Sequence, residues 1–188
     1  MPHIRGTTTT KTFVYMWIGS RHMLRLAKTS RDGQLYTCVS ALVLSAFMIE
    51  AYINHLGKLK ESDWDRLERK LSKTKKFLKL AKDAGLTISL NDRPYQSLTK
   101  LFAYRDSMAH GKTVTEKIDT KVRSGFSISA SIPGAEWQEF TTMEMTEQLL
   151  LDAENIIREL HKASGFTDDP FGSGGGGLYA ISPTEILI

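Results

Sequence analysis

Apolar residues recur at three- and four-residue spacing between Thr12 and Thr29, where Phe13, Met16, Trp17, Met23, Leu24 and Ala27 predict a first amphipathic helix. After the turn signal Arg31-Asp32-Gly33, the stretch from Gln34 to Leu59 is apolar on most sides. Such a helix is expected to be covered by neighbours on more than one face. The next segment opens with a cap-like Ser62, followed three residues later by Asp65, and closes at Gly85. Its stripe of Trp64, Leu67, Leu71 and Leu78 leaves Phe77 and Leu80 off register, which predicts two short helices divided near Ser72. A fourth helical region is expected from Asp92, with Pro94 in its first turn, to the neighbourhood of Gly111.

Between Thr113 and Ile132 the period changes to two. Val114, Ile118 and Val122, then Phe126, Ile128, Ala130 and Ile132, alternate with polar residues around Ser124-Gly125, as a β-hairpin would. A last helix starts at Thr141 with Glu144 three residues on, and carries Met145, Leu149, Ala153, Ile156 and Leu160 on one face. The expected fold is therefore mainly α: a helical bundle with a small β-hairpin insertion between the fourth and last helices. Residues 1–163 form that domain, and the Gly-rich stretch 164–188, with FGSGGGG and an apolar end, reads as a flexible C-terminal tail.

Composition narrows the function classes. A chain of 188 residues, 41% hydrophobic and 24% charged, buries roughly 70% of the surface its unfolded form exposes and needs no disulfide or metal to fold. The single Cys38 cannot form an internal bridge, so a reducing, cytoplasmic setting is the expectation. The apolar run from Cys38 to Ile53 is interrupted by Ser40, Ser45 and Glu50 and falls short of the roughly 20 residues that span a bilayer, so it reads as a core helix with no membrane role. The amino-terminal residues show no secretion signal. A net charge of +4 is a mild pointer to an anionic partner.

The chemistry concentrates in "AYRDSMAHGK", residues 103–112. At 100° per residue Arg105 lies within the stripe of Leu98, Leu101, Phe102, Met108 and Ala109. An arginine there needs a partner or a task. Glu50, embedded in the second helix, is a candidate partner. Asp106 and His110 are four apart, so the carboxylate is placed to orient the imidazole and favour its protonated form. A structural ion pair and a fixed charge at a site are both open readings for Arg105, as a helix-end contact and a proton-transfer group are for His110.

At these residues the chain resembles the HEPN (higher eukaryotes and prokaryotes nucleotide-binding) family. The resemblance rests on Arg105, four residues, His110 and then Gly111, preceded by the apolar, Glu-bearing helix "SALVLSAFMIEAYINHLG". It covers roughly Thr12 to Lys162. It implies a helical bundle that dimerises with two copies of the motif facing one cleft and, in many members, metal-independent RNA cleavage, here as a toxin or defence protein with an antitoxin or regulatory partner. By that resemblance His110 is the general acid or base and Arg105 stabilises charge on the phosphate. Active members often carry asparagine after the arginine, where this chain has Asp106. The alternative implied function is a non-catalytic helical module that binds nucleic acid or a protein partner through the same cleft.

Eight basic residues lie between Arg66 and Lys82 against the single acid Glu68. They read either as a solvated helix face or as a nucleic-acid-binding surface, with Lys70, Lys73 and Lys76, joined by Lys112 after the motif, as the candidate phosphate contacts. Histidines 3, 22, 55 and 161 show no metal-ligand spacing, so neither a metal site nor a cofactor is expected. The GSGGGG run lacks the lysine and following helix of a phosphate loop. Cys38 and Ser107 have no adjacent base to make either a nucleophile.

Overall fold

The structure, a computed structural model, describes residues 3–7, 9–113, 115, 135–172 and 182–187. It is mainly helical. In chain order the elements are β1 (His3–Thr7), α1 (Thr12–Thr29), α2 (Gln34–Lys60), α3 (Trp64–Lys70), α4 (Lys73–Asp83), α5 (Gln96–His110), α6 (Glu136–Phe140), α7 (Met143–Ala163) and β2 (Ser182–Leu187). The hairpin expected over 113–132 lies outside the described residues.

α2 is the centre of the bundle, with α1, α3, α4, α5 and α7 packed around it. That arrangement is why its sequence is apolar on most sides: Leu42, Met48, Ile49, Tyr52, Ile53 and Leu56 point to different neighbours and are all buried. The helix outruns the apolar run seen in the sequence, and by length and composition it is the one helix among the described residues that could cross a membrane. Half of its most apolar window is buried within the bundle.

The division near Ser72 is present, because Ser72 caps α4 by accepting a hydrogen bond from the Lys75 amide at 3.3 Å. Ser62 does not cap α3; Asp63 stands at the cap without a side-chain hydrogen bond. Gly85 follows α4 at φ +79°, and its amide and that of Leu86 return to the carbonyls of Lys82 and Ala81, closing the helix as a glycine in the left-handed region allows. α5 begins at Gln96, later than expected, with Pro94 in the turn before it. α7 is capped by Thr142, whose hydroxyl accepts from the Met145 amide, because Thr141 is engaged by Tyr104 and by the Trp137 carbonyl instead.

Helical packing continues past Ala163. Phe166 stacks on His161 at 4.6 Å, and Phe171 is buried with its ring 4.9 Å from Trp17. Asp168 and Asp169 bind His161 and Arg158, and His161 in turn meets the Tyr52 hydroxyl at 2.9 Å. Further on, β2 pairs antiparallel with β1, Ile4 opposite Ile186 and Arg5 opposite Glu185. Both ends of the Gly-rich stretch are therefore tied to other parts of the chain.

Gly57 marks the closest approach in the core. A Cβ at this position would run into the indole ring of Trp64, which is 1% exposed. Gly57→Ala is therefore expected to destabilise the fold by about 1–3 kcal/mol, the usual range for overpacking. Thermal melts check this, at about 2–4 °C per kcal/mol for a chain of this size. An unchanged melting temperature would mean that Trp64 repacks without strain.

Candidate functional site

The motif lies where α5 meets α2 and α4. Glu50 on α2 and Arg105 on α5 face each other, with Arg105 Nη2 3.6 Å from Glu50 Oε2. The pair is not sealed: both side chains keep 25% of their surface exposed. Phe47, one turn before Glu50, lies against the guanidinium, whose central carbon is 5.3 Å from the ring centroid. Arg105 Nη1 donates to Asp106 Oδ1 at 2.9 Å, while its buried Nε has no hydrogen-bond partner.

Asp106 does not orient His110. Its carboxylate turns to α4, where Lys73 Nζ donates to Oδ1 at 2.7 Å and to Oδ2 at 2.9 Å. Partial burial pushes the Asp106 carboxyl upward, but the hydrogen bonds from Lys73 and Arg105 outweigh it and hold the group below its ordinary value. The four-residue spacing that suggests an Asp106–His110 contact is overridden by a stronger charged donor arriving from another helix. The Lys73 ammonium also lies over an aromatic ring, its Nζ 5.8 Å from the centre of Phe102.

His110 is the last residue of α5 and is exposed. Among the described residues it has no hydrogen-bond or ion-pair partner. Five positions at 100° each turn the helix by 500°, so the His110 side chain leaves α5 about 140° around the axis from Arg105, and about 7.5 Å further along it. The chain therefore presents the Arg105 guanidinium and the His110 ring on different sides of one helix end.

A cleft of about 530 Å³ opens beside Arg105, walled by Glu50, Glu68, Lys73, Lys76, Phe102 and Asp106 among others. Three acids face two lysines there, with Arg105 behind them, so the cleft is close to charge balance. Of the basic residues singled out in the sequence, Lys73 and Lys76 line this cleft but are occupied. Lys76 is buried, donating to Asn54 Oδ1 at 3.2 Å with Glu68 at 4.0 Å. Lys70 and Lys112 are exposed and have no partner among the described residues. Asn54, one turn beyond Glu50, thus serves Lys76.

Two features of the site have weak or no sequence signals. Phe47 is readable in hindsight, because it is three residues before Glu50 on the same helix face. The Lys73–Asp106 pair spans 33 residues and two helices, and nothing in the local pattern announces it. Among the described residues no three His, Cys, Asp or Glu side chains are grouped so as to hold a metal ion. No family model, curated protein or solved structure matches this chain.

Proposed function

We propose that this chain is a HEPN-like, metal-independent endoribonuclease that works as a homodimer, with Arg105 and His110 as its chemical groups. The observation that carries this reading is the state of the two side chains at one helix end: Arg105 is held in place yet a quarter exposed, and His110 is presented to solvent without a partner among the described residues. A fixed cation and an unengaged imidazole are the two things that phosphodiester transesterification needs. Their divergence around α5 means that a single copy offers only half a site to one phosphate, and a second copy facing it supplies the rest. The face available for that contact is apolar. Tyr36, 74% exposed, and Phe47, 37% exposed, lie on the α2 stripe that continues to Glu50.

In this reaction the ribose 2′-oxygen forms a bond to phosphorus as the bond from phosphorus to the 5′-oxygen breaks. One His110 takes the proton from the 2′-hydroxyl. The His110 of the second copy gives a proton to the departing 5′-oxygen, so the site ends with no net gain of protons. Arg105 stabilises the negative charge that builds on the phosphoryl oxygens. The products are a 2′,3′-cyclic phosphate and a 5′-hydroxyl. Such an enzyme fits a toxin or defence protein restrained by an antitoxin or regulatory partner.

The direct test is incubation of the purified protein with total RNA in excess chelator. Cleavage should persist and should leave 2′,3′-cyclic phosphate ends. Activity that disappears on chelation and returns with magnesium would remove Arg105 and His110 from the chemistry.

One observation favours the second reading, a non-catalytic HEPN-like module binding nucleic acid or protein: Arg105 is shared between two carboxylates, Glu50 and Asp106, which compensate its charge. Lys73 supports the first reading. By taking both oxygens of Asp106 it offsets the acid that stands where active family members often carry asparagine. Lys73→Met should then leave Arg105 alone against Glu50 and Asp106, a net negative charge of one near the RNA. At about 8 Å and an effective dielectric of about 20 the repulsion is ~2 kcal/mol, or roughly thirty-fold in affinity. Adding Asp106→Asn should restore binding. If the double variant binds RNA as poorly as Lys73→Met alone, Lys73 contacts phosphate itself.

A further inference from the structure

On the His110 side of α5 there is a second cavity, of about 380 Å³, between α5 and α6. Lys100, Ala103 and Ser107 line it from α5, and Glu136, Trp137 and Phe140 from α6. At its base the buried Tyr104 ring stacks on Phe140 with centroids 5.4 Å apart. Ala103, Ser107 and His110 follow one another at four- and three-residue spacing, so they form one strip along the helix. Ser107 is one turn, about 4.5 Å along the axis, from His110.

We propose that this cavity is a nucleobase slot: the base of a nucleotide beside the cut bond stacks against Trp137. This rests on the ribonuclease reading and adds to it a place where the substrate is gripped by something other than its phosphate. The volume is that of a small-molecule pocket, and its walls combine the rings of Tyr104, Trp137 and Phe140 with a few polar groups, the kinds of side chain that stacking sites for single-stranded nucleic acid use. The polar groups are unspent. Lys100 and the exposed Glu136 have no ion-pair partner, and the Trp137 indole N–H has no acceptor, among the described residues. A base edge offers both donors and acceptors and can use all three. Because a base and its own phosphate belong to one nucleotide, a slot one helical turn from His110 is within reach of a nucleotide whose phosphate lies at the motif.

Binding of a 2′-O-methyl oligoribonucleotide, which cannot form the cyclic phosphate, separates grip from cleavage. The other two tryptophans are occupied: Trp17 is bonded to Glu154 and stacked on Phe171, and Trp64 is 1% exposed. Fluorescence quenching on binding should therefore come from Trp137 and vanish in Trp137→Leu. Affinity should fall roughly five- to 150-fold in that variant, the measured range for one base–aromatic stack, and Trp137→Phe should keep most of it. If Trp137→Leu does not fold, Ser107→Leu fills the same cavity from an exposed helix position that does not line the cleft beside Arg105, and should weaken binding with the melting temperature unchanged. Wild-type protein that cuts RNA, together with unchanged affinity in both leucine variants, would overturn the slot and leave the ribonuclease reading standing. Wild-type protein that neither binds nor cuts RNA would overturn both.

Discussion

His110→Ala should cut RNA about 10²- to 10⁴-fold more slowly than the wild type, the usual worth of a positioned proton-transfer group, while its RNA affinity changes little. The structure makes this a clean substitution. His110 closes α5, is exposed, and holds no other side chain among the described residues. Its one structural contribution is an interaction with the carbonyl end of the helix when protonated, worth 0.3–1 kcal/mol at most in such an exposed place. Light scattering and a thermal melt should accordingly match the wild type. The rate is measured in single turnover, so that product release does not mask the chemical step. A variant that cleaves at the wild-type rate would move the proton transfer to another residue.

The long helices were the readable part of this fold, because each buries a stripe whose spacing survives in the sequence. The break at Ser72 was readable for the same reason: Phe77 and Leu80 belong to a different stripe from Trp64 and Leu67, and both sets are buried or packed on the core. Helix ends were less so. Thr141 and Thr142 are equally good caps in sequence, and only the tertiary contact of Thr141 with Tyr104 leaves the cap to Thr142. The five-residue α6 is too short to show a period at all. In the region after Ala163 the glycine run dominates the composition and hides Phe166 and Phe171, two aromatic anchors that need no periodicity to find their partners.

The site divides along the same line. Glu50 and Arg105 could be paired from the sequence because each is a charge inside an apolar helical run, and buried or half-buried charges seek each other. Asp106 could not. Its nearest candidate along the helix was His110, but a local spacing rule says which side chains are neighbours, not which neighbour binds more strongly. Lys73, positioned by the cap at Ser72 that starts α4, brings a full charge to both carboxylate oxygens. For the proposed function the consequence is that Asp106, which stands where HEPN proteins often carry asparagine, has its charge already paired by Lys73.

Arg105→Ala is expected to lower cleavage by about 10²- to 10³-fold, the loss typical of removing one donor to developing charge, and to weaken RNA binding as well. Its effect on stability separates the catalytic from the structural role. Had the pair with Glu50 been fully buried, stranding the carboxylate would cost about 3–5 kcal/mol. Here the charges are 3.6 Å apart and each side chain is 25% exposed, so water reaches the pair and the cost should lie nearer the ~1 kcal/mol of exposed pairs. Glu50→Gln alone should therefore melt close to the wild type, and the double variant should recover little beyond Arg105→Ala. A fall of the full buried-pair size in Arg105→Ala, reversed by adding Glu50→Gln, in a protein whose wild type does not cut RNA, would make Arg105 a structural residue and sink its catalytic role.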